Sequence, residues 1–472
     1  MAAPVVYELG HWPGLADVFP AFSDVPYPAL LGGAAPGATG GRYSYLVADP
    51  FLVVRSRGRR VTLEQDGACE EVEGDPWTVL QGLVRRCSLA RVPGLPPLQG
   101  GAVGYLSYDL GRHIERLPSL ARDDTGLPEL CMGLYDWVVA HDGDTGQAYL
   151  VSTGLPDGSP GRAEIRAREV LRRLGSSRSP DGAGIADARV GPRPSCEGPR
   201  LRSNFTRQEY MAAVRRIKEY LAAGDVYQVN LSQRFEAAFG GDPWPLYLRL
   251  RQCNPAPFAA YLGFPEATVL SASPEEFLRL EGRSVETRPI KGTRPRGRTP
   301  QEEERLTSEL LSSEKERAEN VMIVDLLRND LGRVCCVGSV KVPALFSVEQ
   351  HPTVWHLVST VAGTLRYGLD AVDLLRACFP GGSVTGAPKV RAMEIIEELE
   401  PVRRGVYCGA VGYISFTGDM NTSIAIRTIV VARDRLYLQV GGGIVADSDP
   451  ESEYQETLHK GEGLRRALGA AF

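Results

Sequence analysis

The sequence lacks the patterns that identify membrane, secreted and nucleic-acid-binding proteins. No apolar run is long enough to span a bilayer, and residues 1–10 contain no cationic stretch followed by an apolar one, so we expect no secretory signal. Lysine and arginine together number 53 against 58 acidic residues, which gives a formal net charge of -5 and no basic excess for nucleic acid. We therefore predict a soluble protein with no membrane and no nucleic-acid partner.

The cysteines have no recognisable spacing. The 9 cysteines are odd in number and scattered, and no two of them form a Cys-x-x-Cys pair. This usage argues against a disulfide framework and against a structural zinc site, and it fits free thiols in a reducing compartment. We therefore expect a cytoplasmic location.

The chain has enough apolar residues for large hydrophobic cores, and a polar stretch over 175–203 divides it into two parts. With 472 residues and 43% hydrophobic content, we expect two domains or one large unit. The first part is rich in strand-like runs, among them residues 134–140 and 148–152, which flank an Asp-Gly-Asp turn and predict a hairpin. A stretch rich in Ser, Gly, Pro and Asp follows and predicts a linker. The predicted units are an N-terminal domain over 1–174, a linker over 175–203 and a catalytic domain over 204–472.

Residues 271–297 carry the strongest local signal for chemistry. Glu275 lies between two strand-like runs, and Lys291 lies between Pro289 and Gly292 in a loop. Proline fixes φ and glycine lets backbone approach closely, so this loop is a stiff, low-bulk mount for one amine. The cations around it in sequence are Arg288, Arg294, Arg296 and Arg298. Because neighbouring cations disfavour an ammonium ion, we expect a lowered pKa for Lys291 and hence a nucleophile, and the alternative is a solvated basic loop.

Two predicted helices carry paired acids. Glu316 and Glu319 share one face of a helix that starts near residue 314, and Glu453 and Glu456 share one face of the last helix. An unpaired carboxylate on an apolar face is costly, so Glu319 calls for a cation. Two such pairs can present oxygens to one Mg²⁺, which takes few protein carboxylates and leaves positions for water and substrate. The alternative is a pair of solvated helix faces.

Two glycine-rich segments and two isolated residues complete the candidates. Residues 381–389 (GGSVTGAPK) precede a predicted helix whose free N–H groups favour an anion, although the spacing does not match a phosphate P-loop. Gly441 to Gly443 follow a predicted strand and are expected to form a backbone nest. Arg427, inside a strand-like run over 422–431, is either an inward carboxylate clamp or a solvent-facing residue. His356 is either a core histidine or a catalyst.

These segments resemble the chorismate-binding enzyme family. The resemblance rests on residues 289–297, 319–330 (ENVMIVDLLRND), 381–389 and 441–456, and it covers about 206–468 strongly and the N-terminal part more loosely. It implies an α+β fold of the anthranilate synthase component I type, with large antiparallel sheets packed as a sandwich and helices around them. It also implies an active site that binds chorismate with Mg²⁺.

Two positions separate the branches of this family. Lys291 stands where anthranilate synthases carry alanine, and Gln228 stands where salicylate and isochorismate synthases carry the lysine that activates water. The resemblance therefore implies the branch that converts chorismate and ammonia to 4-amino-4-deoxychorismate, on the path to 4-aminobenzoate and folate. The alternatives are an anthranilate-forming lyase and a non-catalytic chorismate-binding paralogue.

The resemblance also implies a role for each candidate residue. Glu275 would protonate the departing 4-hydroxyl, Lys291 would attack C2 to give a covalent intermediate, and His356 would orient or stabilise the ring. The expected metal-site residues are Glu316, Glu319, Glu453 and Glu456. The expected substrate-binding residues are Gln228, Thr293, Thr385, Gly386, Tyr407, Arg427, Gly441, Gly442, Gly443 and Lys460.

A partner is implied as well, and one regulatory feature is missing. No cysteine has the Gly-x-Cys-x-Gly surround of a glutaminase nucleophile, so ammonia is expected from a separate glutaminase subunit in a heterodimer. Anthranilate synthases carry Leu-Leu-Glu-Ser in a tryptophan feedback site, where this sequence has Leu30, Leu31, Gly32 and Gly33. We therefore predict no inhibition by tryptophan.

Overall fold

The computed structural model describes residues 3–33, 41–176, 198–351 and 354–470. Its strands, in chain order, are β1 (Val5–His11), β2 (Ala29–Leu31), β3 (Tyr43–Val47), β4 (Leu52–Arg57), β5 (Arg60–Gln65), β6 (Ala68–Glu73), β7 (Gly101–Leu106), β8 (Leu130–Tyr135), β9 (Trp137–Asp142), β10 (Gln147–Ser152), β11 (Arg202–Ser203), β12 (Gln228–Ala238), β13 (Phe258–Gly263), β14 (Thr268–Ser273), β15 (Glu276–Glu281), β16 (Ser284–Thr287), β17 (Ile290–Pro295), β18 (Lys341–Gln350), β19 (Val354–Thr364), β20 (Gly386–Ala387), β21 (Ala410–Ser415), β22 (Met420–Ile424), β23 (Thr428–Ala432) and β24 (Arg435–Ile444). Its α-helices are α1 (Pro76–Arg86), α2 (Pro160–Ser176), α3 (Arg207–Ala223), α4 (Pro243–Cys253), α5 (Pro300–Ser312), α6 (Glu314–Gly332), α7 (Ala371–Cys378), α8 (Lys389–Leu399) and α9 (Pro450–Leu468).

Two large antiparallel sheets form the centre of the molecule. The first has the strand order β1-β10-β9-β3-β2-β13-β14-β23-β24-β12-β11, with β20 beside β12. The second has the order β17-β19-β16-β15-β22-β21-β7-β8-β4-β5-β6, with β18 beside β19. Helices α2, α4 and α9 pack on the first sheet, and α1, α6 and α7 pack on the second. The predicted α+β sandwich of antiparallel sheets with surrounding helices is therefore confirmed.

An apolar core fills the space between the two sheets. Val138 and Val430 of the first sheet and Val103 and Val411 of the second all belong to it. Fully burying one such side chain stabilises the fold by about 1.5–3 kcal/mol, so this layer and the two helix-covered faces supply most of the driving force. No helix among the described residues is long and apolar enough to cross a membrane, and the described cysteines are all free.

Both predicted domains contribute strands to both sheets. Strands β1 to β10 precede the predicted linker and β11 to β24 begin within or after it, yet β2 pairs with β13 and β7 pairs with β21. The division into domains over 1–174 and 204–472 therefore stays a prediction about folding units. Most of the linker over 175–203 lies outside the described residues.

The chain crosses from one sheet to the other in the same way in each half. In the N-terminal half, β3 continues into β4 and β8 continues into β9, with β3 paired to β9 in the first sheet and β4 to β8 in the second. In the C-terminal half, β14 continues into β15 and β22 into β23, with β14 paired to β23 and β15 to β22. We call residues 48–51 with Asp136 the N-terminal crossover, and residues 274–275 with 425–427 the C-terminal crossover.

Two strand-like sequence runs split at these crossovers. Residues 134–140 comprise the end of β8 and the start of β9 rather than one strand. Residues 422–431 comprise the end of β22, the crossover residues 425–427 and most of β23. The apolar pattern continues through both crossovers, because the strands that precede and follow each crossover are buried. The hairpin predicted on either side of the Asp-Gly-Asp turn is confirmed as β9 paired with β10.

Candidate active site

Glu275 lies at the C-terminal crossover, and its side chain is buried. Its N–H donates to the Ser273 hydroxyl and its carbonyl accepts from the Ile424 N–H, so the backbone is held on both sides. Burial raises the pKa of the Glu275 carboxyl to about 7, while a hydrogen bond from Ser383 and the charge of Lys291 oppose the shift. A carboxylic acid with a pKa near neutrality can hold a proton and donate it.

A β-bulge in β17 places Lys291. The register of β17 with β19 shifts between Ile290 and Thr293, and Gly292 has a φ of +85°. A Cβ on Gly292 would come within 2.8 Å of Leu310, so this bulge requires glycine. Burial lowers the pKa of the half-buried Lys291 amine, as predicted, and the nearby acids only partly oppose the shift. The amine is therefore closer to its neutral, nucleophilic form than a solvated lysine.

The cause predicted for this pKa shift is wrong. The arginines near Lys291 in sequence are mostly neutralised by acids, since Arg288 pairs with Glu349, Arg294 with Glu316 and Arg296 with Glu303. Burial lowers the pKa of Lys291 first, and the cation that contributes is Lys460 from α9. The predicted basic loop is a strand, because pairing with β19 overrides the proline and glycine content.

His356 lies beside this bulge and is buried. Its Nδ1 lies 3.0 Å from the Thr293 hydroxyl, and its ring also contacts the Gly292 backbone. Burial lowers the pKa of the imidazole to about 3, so it is neutral at physiological pH. The geometry makes His356 a hydrogen-bond partner that fixes the bulge, and the Thr293 hydroxyl predicted to bind substrate is engaged by it. A direct catalytic role for His356 stays a prediction.

The acids on α6 and α9 lie close together. Burial raises the pKa of Glu319 and of Glu453, and the Glu456 charge raises both further. Lys460 forms an ion pair of 2.6 Å with Glu456, and despite burial it lowers the pKa of that carboxyl. A Cβ on Gly442 would lie 3.3 Å from Glu453 and 3.5 Å from Glu456, so the missing side chain leaves room for these acids.

These carboxylates fit a divalent cation in part. Within the described ranges no three Asp, Glu, His or Cys side chains already form a metal-binding group. Glu456 nevertheless lies close enough to both Glu319 and Glu453 for its charge to raise the pKa of each. Mg²⁺ takes one or two carboxylates and completes its shell with water and substrate. Glu316 fits less well, because Arg294 holds both of its oxygens at 2.8 and 3.2 Å. The predicted metal site therefore fits Mg²⁺ through three of its four acids.

The segment from Gly441 to Gly443 is part of β24 rather than the expected loop nest. Gly441 pairs with Ser232 and Gly443 with Asn230 of β12, and the N–H groups of these β12 residues donate away from β24. In an antiparallel ladder the residues opposite them then direct their own N–H groups away from β12. Two amides, separated by one residue, therefore face the edge of β24 that β23 leaves unpaired beyond Leu438.

Gln228, Thr385 and Gly386 lie together where β20 joins β12. Gln228 is buried, and neither its Oε1 nor its Nε2 has a hydrogen-bond partner among the described residues. A Cβ on Gly443 would lie 2.6 Å from that Nε2, which places the carboxamide beside the free β24 amides. The Thr385 hydroxyl donates back to its own loop at Gly381. An unpaired buried carboxamide favours a polar ligand at this point.

Arg427 lies in the C-terminal crossover with a φ of +52°, which is uncommon for a residue with a side chain. Its guanidinium donates to the Lys460 carbonyl, and in the described part of the chain no carboxylate forms an ion pair with it. Burial lowers its pKa, while Tyr407 and Glu456 act in the opposite direction. Of the two alternatives for Arg427, the structure supports the inward one, since its charge remains available for a carboxylate.

Two further residues belong to the site and were not predicted from the sequence. Ser383 hydrogen-bonds to the Glu275 carboxyl, and Lys315 lowers the pKa of Glu319, Glu453 and Glu456. Lys315 is four residues from Glu319, a spacing that places both on one helix face and could have signalled it. Ser383 has no such signal, because its partner is remote in sequence.

Known proteins similar to this chain share one family. The family model described as chorismate binding enzyme matches residues 41–466. Aminodeoxychorismate synthase component 1 of Escherichia coli (strain K12) is 43% identical over 95% of each chain. Anthranilate synthase component 1 of Aquifex aeolicus (strain VF5) is 42% identical over 94% of this chain and 89% of its own. The crystal structure of anthranilate synthase component I from Streptococcus pneumoniae TIGR4 matches with a TM-score of 0.79 at 33% identity, covering 90% of this chain and 92% of that one. The chain therefore belongs to the family of chorismate binding enzymes.

Proposed function

We propose that this chain is component 1 of an aminodeoxychorismate synthase, which converts chorismate and ammonia to 4-amino-4-deoxychorismate for 4-aminobenzoate and folate synthesis. Its relatives include aminodeoxychorismate and anthranilate synthases at similar identity, so overall similarity does not choose between them. The observation that carries the choice is Lys291, an amine of lowered pKa held in a bulge close to the protonatable Glu275. A nucleophilic lysine is required where nitrogen must be directed away from C2.

The two residues can carry out the reaction in balanced steps. The Lys291 amine attacks C2 of chorismate, the ring double bonds shift, and the C4–O bond breaks. The Glu275 proton goes to the leaving oxygen, which departs as water. Ammonia then attacks C4, the double bonds shift back, and the Lys291 nitrogen leaves C2 as an amine. The extra proton on the new C4 nitrogen goes to the Glu275 carboxylate, which restores the acid. Because Lys291 occupies C2, the new C–N bond forms at C4 and the enolpyruvyl group is retained.

Several groups can hold the substrate carboxylates. The Arg427 guanidinium forms no ion pair with a carboxylate of the described residues, and the amides of Gly441 and Gly443 on the free edge of β24 offer two further donors. A bound Mg²⁺ would supply positive charge for a ring carboxylate. The residues that would hold it are Glu319, Glu453 and Glu456. Lys460 already balances this acidic cluster and can turn toward a bound carboxylate.

The ammonia is proposed to come from a separate glutaminase subunit that forms a heterodimer with this chain. The names of the relatives support this, since "component 1" implies a second component. No cysteine of the sequence has the surround expected of a glutaminase nucleophile. Free ammonium should therefore replace the partner in a purified system. We also propose that the protein acts in the cytoplasm.

The product of an ammonium-driven reaction tests the proposal. The purified chain is incubated with chorismate, Mg²⁺ and ammonium chloride, and the products are separated by chromatography with fluorescence and mass detection. We expect 4-amino-4-deoxychorismate from the wild type and a shift toward anthranilate from Lys291→Ala. Anthranilate as the main wild-type product would instead identify an anthranilate synthase, and intact chorismate would identify a non-catalytic paralogue.

A further inference from the structure

A buried ion pair completes the edge of β12 beside the active site. Glu400 and Arg404 are four residues apart, join at 2.7 Å, and expose 2% and 1% of their side chains. They lie where β20 has ended along β12 and β11 has not yet begun, so the edge of β12 opposite β24 lacks a strand partner there. The pair is outside the set of residues assigned above to substrate, metal or proton transfer.

The ion pair takes the place of the missing strand. The Glu400 carboxylate accepts from the Ser232 N–H and hydroxyl, both at 2.8 Å. Arg404 donates to the Asn230 carbonyl at 2.6 Å and to the Val384 carbonyl at 2.8 Å. One guanidinium therefore bridges the β12 backbone to the glycine-rich loop over 381–389. Its planar fork allows several donations at fixed angles, which an ammonium ion does not provide.

The loop residue that Arg404 holds lies between two residues of the active site. Ser383 precedes Val384 and hydrogen-bonds to the Glu275 carboxyl, and Thr385 follows it. The Asn230 side chain donates to the same Val384 carbonyl at 3.1 Å. A shift of the Val384 carbonyl would therefore move the hydroxyl that contacts the proton donor.

We propose that Glu400 and Arg404 are positioning residues, which fix the loop over 381–389 so that Ser383 holds the Glu275 carboxyl in place for proton transfer. This inference rests on the proposed role of Glu275 as general acid. A displacement of about 1 Å in such a group can reduce a rate by about 100-fold. The effect should fall on kcat rather than on the KM for chorismate, because Ser383 contacts the proton donor directly, whereas the Thr385 hydroxyl donates to the Gly381 carbonyl within its own loop.

The experiment compares Arg404→Lys with Arg234→Lys as a matched control. Arg234 is also a buried arginine in an ion pair, with Asp124. It lies on β12, the strand that Arg404 contacts, but none of its hydrogen bonds or ion pairs among the described residues reaches the loop over 381–389. Each purified full-length variant is assayed for thermal unfolding and for ammonium-driven chorismate consumption across pH 5–9. Ser383→Ala provides the reference for loss of the hydroxyl alone.

We expect Arg404→Lys to reduce kcat by about 10- to 100-fold, with the KM for chorismate within twofold of the wild type. The hydrogen bond from Ser383 lowers the pKa of Glu275, so Arg404→Lys and Ser383→Ala should both move the basic limb of the kcat profile to higher pH. The control should lose thermal stability with an unchanged limb. Loss of stability in Arg404→Lys with kcat and limb unchanged would overturn the proposal.

A variant that fails to fold does not end the test. Glu400→Gln keeps the acceptor for Ser232 and removes the charge that orients Arg404, and it is judged by the same kcat and pH criteria. The readout is the rate of chorismate consumption, whereas the proposed function is judged by product identity, so the two can fail separately.

Discussion

The two crossovers share a topology and use charge in opposite ways. At the N-terminal crossover, Asp136 is buried and faces Arg166 of α2, which also forms an ion pair of 2.7 Å with Asp49. At the C-terminal crossover, Glu275 is also buried, but among the described residues no arginine forms an ion pair with it. The cation that lowers the pKa of the Glu275 carboxyl is Lys291, whose own charge is disfavoured by burial.

The difference separates a structural acid from a reactive one. Burial raises the pKa of both acids, but two arginines, led by Arg166, counteract the shift at Asp136. A permanent guanidinium charge keeps a carboxylate ionised, whereas a lysine that can lose its own proton does not. The left-handed φ of Asp49 has a counterpart in Arg427, yet the Asp49 carboxylate is paired, whereas no carboxylate of the described segments pairs with the Arg427 guanidinium. The same backbone path therefore serves stability in one half and chemistry in the other.

The largest expected effect comes from Glu275→Gln. The amide keeps the shape and removes the proton donor, so kcat for chorismate consumption should fall by about 10²- to 10⁴-fold. The acid must be protonated, so wild-type kcat should decline as pH rises through about 7, and this limb should vanish in the variant. Steady-state assays across pH 5–9 measure both. Retention of the limb in Glu275→Gln would assign it to another group.

Glu275→Gln should lower kcat but raise the thermal stability of the protein at high pH. A folded-state pKa above the ordinary value of 4.5 means that stability present at low pH is lost as pH rises through about 7. Glu275→Gln removes that loss, so it should unfold at a higher temperature than the wild type at pH 8 and at a similar temperature at pH 5. Thermal scans at the two pH values provide the comparison.

Arg427→Lys should have the next largest effect. The lysine keeps the charge but loses the bidentate fork, and a charge-assisted hydrogen bond contributes about 1.5–3 kcal/mol. We expect the KM for chorismate to rise by about 10- to 100-fold, with a smaller change in kcat. Initial rates at varied chorismate and saturating ammonium separate the two constants. An unchanged KM would mean that Arg427 holds the crossover rather than the substrate.

Arg166→Met should affect stability without affecting catalysis. The substitution leaves Asp49 and Asp136 without their shared cation, and removing one partner of a buried ion pair costs about 3–5 kcal/mol. Urea unfolding at pH 7 measures the loss, and Asp136→Asn in the same background should recover part of it. A kcat that falls in parallel on the folded variant would contradict the division of roles between the crossovers.

Tryptophan should have no effect on the rate. A cavity of about 720 Å³ between the sheets is lined from both halves, with Gly32 and Pro257 in its wall. A Cβ on Gly32 would lie 2.6 Å from the Tyr43 carbonyl, and one on Gly33 would lie 1.8 Å from the Ala256 carbonyl. The backbone is therefore packed too closely for the side chains of a Glu-Ser pair here. Inhibition at micromolar tryptophan would contradict this prediction.

The sequence predicted what depends on neighbouring residues along the chain. The starts of α6 and α9 follow from their caps, Ser313 and Asp449, and these starts place both acidic pairs in or next to the first two turns. The hairpin of β9 and β10 follows from its turn. These features need no knowledge of the remaining chain.

Features that depend on pairing across the fold were not predictable in the same way. The strand over Ile290–Pro295 reads as a loop because only the register with β19 shows that Lys291 lies in a bulge. The crossovers could not be predicted, because an apolar pattern does not show to which of the two sheets a strand belongs. The sequence of Gly441 to Gly443 predicts a backbone nest in a loop, whereas these residues lie in β24. Their free amides could not be predicted as those of a strand edge, because this edge is unpaired only where β23 has ended.

Intact-mass spectrometry of the protein with chorismate and Mg²⁺, without ammonia, tests the central claim most directly. Lys291 is expected to form an adduct at C2 and, with no ammonia to displace it, to accumulate it. We predict an added mass of chorismate less water on the wild type, located at Lys291 by peptide mapping and absent from Lys291→Ala. A wild-type protein of unchanged mass that still yields 4-amino-4-deoxychorismate when ammonium is added would contradict the covalent route.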